Sequence, residues 1–481
     1  MKLPTYLRAL VVIFLLTLPF VNPWLHGDGV GYYAYVRSLL VQHNMSFEVD
    51  KLHTSWPFEN LPSEEEGEVQ TPYTPTGHLP NRYSVGPSML WAPFLTPVHV
   101  VMVTLRKAGV NVRADGFSLP YLLTMALATA LYGFVGLAFS FRLASFYVRE
   151  QWAFLATLGI WFATSLPVYM YFNPSYSHAH SVFVVALFLW YWNRTRPERT
   201  LAQWAVLGLL SGLMLDVYYP NIAVLLVPLV ESLRRYWLEW RTPGHNWKAL
   251  RRLFAANLLY AGLTLVAFLP TLITRQIIYG HPWESGYAGV GLALGDLPAL
   301  WEPLFSSNHG LLSWTPIVIP ALVGLAFLRK YDSELATCSL AAFAAFYGIV
   351  EFHPDWHGLS SFGNRFFISL TPFFILGLAV TLQEAAHLFK RRKTAVASAA
   401  LVVGALIVWN LAFIFQWGNG FIPHEGPISW KQMAYNQVQV VPRSLGSKLK
   451  SYFQNRAKMM QRITCEDIQR ERGESIQPCE Q

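Results

Sequence analysis

The residues of this chain able to do chemistry gather in a few short polar stretches, set between long apolar ones. The first stretch is His26-Gly-Asp-Gly-Val-Gly-Tyr-Tyr-Ala-Tyr35. Asp28 stands between glycines, where the backbone can turn tightly and approach a ligand closely. A carboxylate in such a place can act as a general base or take a metal ion. Its plain structural use is to cap the helix that follows. The second stretch, Asn81-Arg-Tyr-Ser-Val-Gly-Pro87, puts Arg82 and Tyr83 at the mouth of an apolar segment. A fixed guanidinium at headgroup depth suits a phosphate, and serves equally as a snorkelling anchor beside Tyr83 and Trp91.

The third stretch is Asn173-Pro-Ser-Tyr-Ser-His-Ala-His180. Histidines two apart cannot share a helix face, though they can converge from a loop. A polar contact from His178 to sugar or phosphate outweighs a metal pair here. The fourth, Asp216-Val-Tyr-Tyr-Pro-Asn221, places a carboxylate at the end of an apolar segment. Such a residue is a functional candidate by default, against the simpler reading of a helix-end partner for a neighbouring Arg. The fifth is a pair of Gly- and Ser-rich stretches, one with His309 and one with Trp356, His357 and Arg365. Aromatic planes beside polar groups suit sugar stacking. Arg365, at the start of an apolar segment, suits a pyrophosphate. Interface anchoring is the alternative for all four.

The elements that must hold these residues are membrane helices. Only 13% of the 481 residues are charged and 53% are hydrophobic, with mean hydropathy +0.31, whereas soluble chains carry about 25% charged residues. Apolar segments of spanning length fall near 6–25, 86–105, 117–142, 152–171, 179–193, 202–219, 221–238, 253–277, 313–328, 335–352, 366–386 and 394–416. Continuous runs of this length select helices rather than barrel strands. The predicted fold is therefore an all-α polytopic transmembrane bundle. The first segment reads as an uncleaved helix, because no small-residue cleavage site follows it.

The net charge of +8 comes from short basic runs between apolar segments, at 194–199, 234–252, 329–330 and 390–393. These are positive-inside topology signals; no nucleic-acid motif accompanies them. They place loop 26–84, the other polar stretches and the tail on the outer side. An N-terminus inside and a tail outside need an odd number of crossings, about 11 to 13 helices by segment length. The loops at 106–113 and 142–149 both look cytoplasmic, yet one long apolar segment separates them. Within loop 26–84, which is acidic, residues 31–42 read as an interfacial helix. Residues 1–416 form the membrane module. Residues 417–481 form a polar tail with a basic surface helix around Lys448, Lys450, Arg456 and Lys458. Cys338 reads as core; Cys465 and Cys479 can pair if the tail lies in an oxidising compartment.

The order of first helix, Asp28 in a Gly/Tyr-rich outer loop, interfacial helix, and a Tyr/Gly/Pro motif (Tyr83 to Pro87) entering the second helix resembles the GT-C superfamily. Within it, the protein O-mannosyltransferase-like and lipid A aminoarabinose transferase-like branch is the nearest in pattern. The resemblance covers roughly residues 6–390 in architecture. It implies an inverting hexosyl- or pentosyltransferase of the bacterial inner membrane, with its site on the outer face. The donor it implies is a polyprenyl-phosphate sugar, the acceptor a glycan, lipid or protein, and the cofactor, as in many members, a divalent metal ion. It maps Asp28 onto a catalytic or acceptor-binding role and Arg82 onto the lipid phosphate. Many members carry an Arg-Pro-Asp motif where this chain has Asn173-Pro-Ser-Tyr-Ser-His178, without a carboxylate. The readings from other classes are a glycolipid transporter or flippase, or another membrane-bound transferase. A transporter should show broken or charged helices near midplane in repeated halves, and no repeat is present.

Overall fold

The structure, a computed structural model, describes residues 4–52, 58, 73–196, 198–242, 246–286 and 299–471. The acidic run from Glu59 to Glu68 and Cys479 lie outside the described residues, as does the side chain of Cys465. The chain folds as a polytopic helical membrane protein. Six of its described helices are long and apolar enough to cross a membrane. In lipid each backbone polar group must be satisfied within its own segment, which continuous apolar runs achieve as helices.

Side-chain pairings set the direction of each helix. α1 (Thr5–Thr17) runs beside α5 (Glu150–Phe162), Tyr6 against Phe154 at one end and Thr17 bonded to Tyr171 at the other. Between them in sequence lie α2 (Asp28–Arg37), α3 (Gly86–Lys107) and α4 (Leu119–Ala144). α4 descends beside α6 (His178–Thr195), with Tyr132 on His180 and Phe139 on Trp190. α7 (Leu201–Val217) returns, α8 (Leu226–Arg241) descends, and α9 (Trp247–Ala267) rises beside α7 into α10 (Leu269–Tyr279). α11 (Val318–Phe327), α12 (Ser333–Glu351), α13 (Thr371–Ala385) and α14 (Arg392–Gly418) continue the alternation. The last helix, α15 (Val441–Glu471), lies across the far end of α1: Tyr452 and Arg456 donate to the carbonyls of Phe20, Pro19 and Val21.

α3 is the exception to this alternation. It is antiparallel to the first half of α4, Trp91 donating to Thr129 and His99 meeting Tyr121. The loop that joins them folds back on α2, where the Tyr33 hydroxyl donates to the Gly116 carbonyl at 2.6 Å. The Arg106–Arg113 loop therefore lies at the same end as Asp28, and the loop after α4 at the opposite, basic end. With α3 set aside, the traverses among the described residues are odd in number.

α2 overlaps the 31–42 region expected to be helical. Gly29 to Arg37 are all buried, so its faces are covered by the surrounding chain. Two of its tyrosines, Tyr33 and Tyr35, donate to carbonyls of the surrounding chain. Arg37, at its end, is 2% exposed and clasps the buried Asp50, Nε to Oδ1 at 2.6 Å.

The basic end is held by ions. Glu231 of α8 is fully buried and accepts from Arg199 (3.0 Å), Arg235 (2.8 Å) and the Trp192 indole (2.6 Å). Arg196 pairs with Asp332, and Arg234 with Glu334 at 2.6 Å, which ties α6 and α8 to α12. Removing one member of such a set leaves an uncompensated buried charge, at about 3–5 kcal/mol. Glu231→Gln should lower the detergent melting temperature sharply, and the double change Arg199→Met/Glu231→Leu should recover most of it. Equal melting of Glu231→Gln and the parent would show the network to be dispensable.

Candidate functional site

The site forms where α2 begins. Gly27 has φ of +50°, which turns the chain so that Asp28 opens the helix, and no side chain caps it. Gly29 lies against Ser175: a Cβ here would stand 1.9 Å from the serine oxygen. Glycine thus lets α2 seat directly on the 173–178 loop. The Asn81–Ser84 segment is placed in the same manner. A Cβ on Gly86 would lie 2.4 Å from the Asp216 backbone, so the start of α3 abuts the end of α7. Ser84 donates to the Val217 carbonyl at 2.8 Å.

These elements converge on one carboxylate. Asp28 accepts from the Tyr83 hydroxyl at 2.6 Å through one oxygen and meets the Arg365 guanidinium at 2.8 Å through the other. Both charged side chains are largely buried, 16% and 10% exposed. Arg365 stacks over Tyr176, centroid distance 5.2 Å. Burial alone would raise the Asp28 carboxyl. Arg365, the Tyr83 hydrogen bond and Arg82 outweigh it and hold the group below the usual carboxylate range. His178 sits in a ring of tyrosines, 4.8 Å from Tyr169 and 5.7 Å from Tyr218.

A second cluster adjoins through Asn364, the neighbour of Arg365. Its amide donates to the Trp356 carbonyl at 3.0 Å. His309, with φ of +62° and fully buried, donates from Nδ1 to the His357 carbonyl at 2.9 Å and packs edge-on against Trp314. Burial, with His357 and Arg365 nearby, pushes the His309 ring down to about 4, so it is neutral at ordinary pH.

Asp28, Arg82, Tyr83, His178 and Arg365 are thus brought together, and His309, Trp356 and His357 flank them. Asp216 is not among them. Its Oδ1 takes the Thr271 hydroxyl (2.5 Å) and N–H (3.3 Å), a link to α10 rather than to an arginine. Around the Asp28–Arg365 pair, Ser175 Oγ, Ser177 Oγ, His178 Nδ1, Asn364 Oδ1, His309 Nε2 and Arg365 Nε are buried without a hydrogen-bond partner among the described residues. Buried polar groups are seldom left so, and a run of them marks a place built for polar ligand atoms.

A divalent ion does not fit this arrangement. Both Asp28 oxygens face donors, one of them a guanidinium, and the nearby Arg82 adds a second positive charge. Among the described residues no group of three or more His, Cys, Asp or Glu is placed to hold a metal ion.

Sequence reasoning missed Arg275. It is 2% exposed, and its guanidinium donates to the carbonyls of Asn81 (2.6 Å), Arg82 (2.7 Å) and Tyr83 (3.2 Å) and to the Tyr219 hydroxyl (2.8 Å). It fixes the backbone that carries Arg82 and Tyr83. The available signal was an arginine within an apolar run, a functional flag in itself. Each stranded buried carbonyl costs about 1–3 kcal/mol. Arg275→Met should therefore melt well below the parent, and Arg275→Lys, which keeps one or two contacts, in between. A Met variant that melts with the parent would remove this role.

No protein-family model matches the chain, and no curated protein matches it. Among solved structures, ArnT from Cupriavidus metallidurans in the apo state is similar over 86% of this chain and 73% of that one. The sequence identity is 13% and the TM-score 0.44.

Proposed function

We propose that this protein is a GT-C-type glycosyltransferase that takes a sugar from a polyprenyl-phosphate donor at the outer face of a bacterial inner membrane. The supporting observation is the buried Asp28 carboxylate, clasped by Tyr83 and Arg365 and rimmed by unpartnered polar groups, at the end of the bundle opposite the basic loops. An anionic leaving group needs fixed positive charge, and the chain supplies it in Arg365 and Arg82. The acceptor hydroxyl forms its bond to the anomeric carbon as the carbon–oxygen bond to phosphate breaks, with inversion. The electron pair leaves on the polyprenyl phosphate. The acceptor proton goes to Asp28. His178 and His309, both neutral donors or acceptors, position the sugar, with Trp356 and His357 at its border. Asp216 supports the scaffold from behind.

Arg365 serves both partners in turn. Before the donor binds it holds Asp28; a donor phosphate competes for the same guanidinium and releases the carboxylate oxygen to the acceptor. Donor then precedes acceptor.

The test is to supply the purified protein with polyprenyl-phosphate sugars and follow both products by mass spectrometry, alongside cysteine labelling of intact cells. Free polyprenyl phosphate should appear together with a glycosylated acceptor. Label should reach residue 44 and not residue 391. No consumption of any such donor, with movement of intact glycolipid across liposomes instead, would make the protein a transporter. Label at 391 from outside would reverse the face.

A further inference from the structure

A second polar feature lies at the opposite end of the bundle, where the proposed transfer chemistry has no part. Between the end of α4, the start of α5, the end of α13 and the start of α14 is a cavity of about 540 Å³. Arg149, His387 and Arg392 line it, over Tyr147 and Trp152, and no carboxylate does. The nearby acids are engaged elsewhere: Asp332 by Arg196, and Glu384 by Lys330 and Tyr331. Glu150, in the first turn of α5, does not line the cavity.

Two helices, α5 and α14, begin at this cavity, and neither start has a side-chain cap. Uncapped helix starts carry unsatisfied N–H groups and partial positive charge, which favours an anion. Gln151, in the first turn of α5, is 8% exposed and its Oε1 accepts from Arg392, which ties the start of α14 to α5 beside the cavity. The mouth is apolar: the lining residues Phe146 and Phe389 are 51% and 38% exposed.

We propose that this cavity binds the phosphate headgroup of an anionic glycerophospholipid. The three basic side chains are exposed along the cavity, and alone they would take any phosphate ester. The apolar mouth selects one whose acyl chains lie in the leaflet beside α4 and α13. The headgroup would then join the ends of helices far apart in sequence, α4–α5 and α13–α14, at the boundary where the basic loops begin. Basic pockets between membrane helices on the side of the basic loops bind acidic headgroups.

The test uses the full-length protein in phosphatidylcholine nanodiscs, titrated with phosphatidylglycerol and read by native mass spectrometry. Arg149→Gln/Arg392→Gln should retain phosphatidylglycerol about tenfold more weakly than the parent, with phosphatidylcholine retention unchanged. Arg149→Lys/Arg392→Lys should restore most of it. Arg149→Gln/His387→Gln, which leaves the Arg392–Gln151 bond intact, should show the same direction if the first pair fails to fold. Equal retention in the neutralised variants overturns the proposal. So does displacement of phosphatidylglycerol by inorganic phosphate or glycerol 1-phosphate at millimolar concentration, which would make the ligand a soluble phosphate.

Discussion

Asp28→Asn should lose about 10²–10⁴-fold in kcat, the usual contribution of a general base, while binding donor at least as tightly as the parent. Asparagine keeps the size of the side chain and can still accept from Tyr83. It cannot take a proton, and it gives up the charge that competes with phosphate for Arg365. Loss of turnover with undiminished donor binding therefore separates a missing base from a damaged fold. Were Asp28 only the first residue of a helix, Asn would serve about as well and transfer would survive; that outcome removes the mechanism. The pH profile supplies a second reading. In the free protein Asp28 is held below its usual range, so it is ionised at neutral pH. The acidic limb of kcat/KM, which reports the free enzyme, should lie below about 3.9, the ordinary Asp value. With donor holding Arg365, burial is opposed by less, the carboxyl rises, and the acidic limb of kcat should lie higher. For folding the sign runs likewise: the clasp stabilises above the unfolded pKa, and its contribution is lost as pH falls through the depressed folded value.

Arg365→Ala should cost about 10²–10³-fold in kcat, the scale of removing one preorganised donor to a developing anion, and should weaken donor binding as well. Lysine should rescue only in part, because it restores charge but not the planar fork. The control is Arg106→Ala, an exposed residue at the far end of α3, which should leave both quantities unchanged. Donor binding by Arg365→Ala equal to that of the parent would move the phosphate site elsewhere, with Arg82 the first place to look.

The architecture was largely legible because lipid imposes one rule on every segment, and each of the apolar runs read from the sequence coincides with helix in the fold. What could not be read was where α3 goes. Its composition is that of a crossing helix, and only the return of the 108–118 loop onto Tyr33 reveals that it doubles back. How deeply α2 is buried was not legible for a related reason: Tyr33 and Tyr35 place their hydroxyls on the carbonyls of Gly116, Asn81 and Tyr83, residues far away in sequence. The site residues were legible as types: Asp28, Tyr83, His178 and Arg365 each stood out as polar groups at segment ends. Their convergence was not, since it depends on glycine contacts such as Gly29 on Ser175. Arg275 escaped because its partners are backbone carbonyls, which leave no mark in a side-chain pattern. Asp216 has the right residue type at the right depth, but its hydrogen bonds run to Thr271 in the scaffold.

The seating of α15 on α1 bears on how the protein is made. Arg456 donates to Pro19 across 437 residues of chain, and Tyr452 to Phe20 across 432. Helices are inserted in order as they leave the ribosome, so the carbonyls at the end of α1 wait through nearly the whole of synthesis for these donors. They receive them only after α14 has been inserted and α15 carried over to the far side. Contacts this distant in sequence form late and slowly. Until the latch closes, the 18–22 turn leading to Asp28 lacks these two donors and is held by its packing into the core and its hydrogen bonds to the 168–172 segment. Assembly of the site is thereby coupled to delivery of the final helix to that end of the bundle, and a nascent chain stalled before that step would hold its chemistry in an unfinished state.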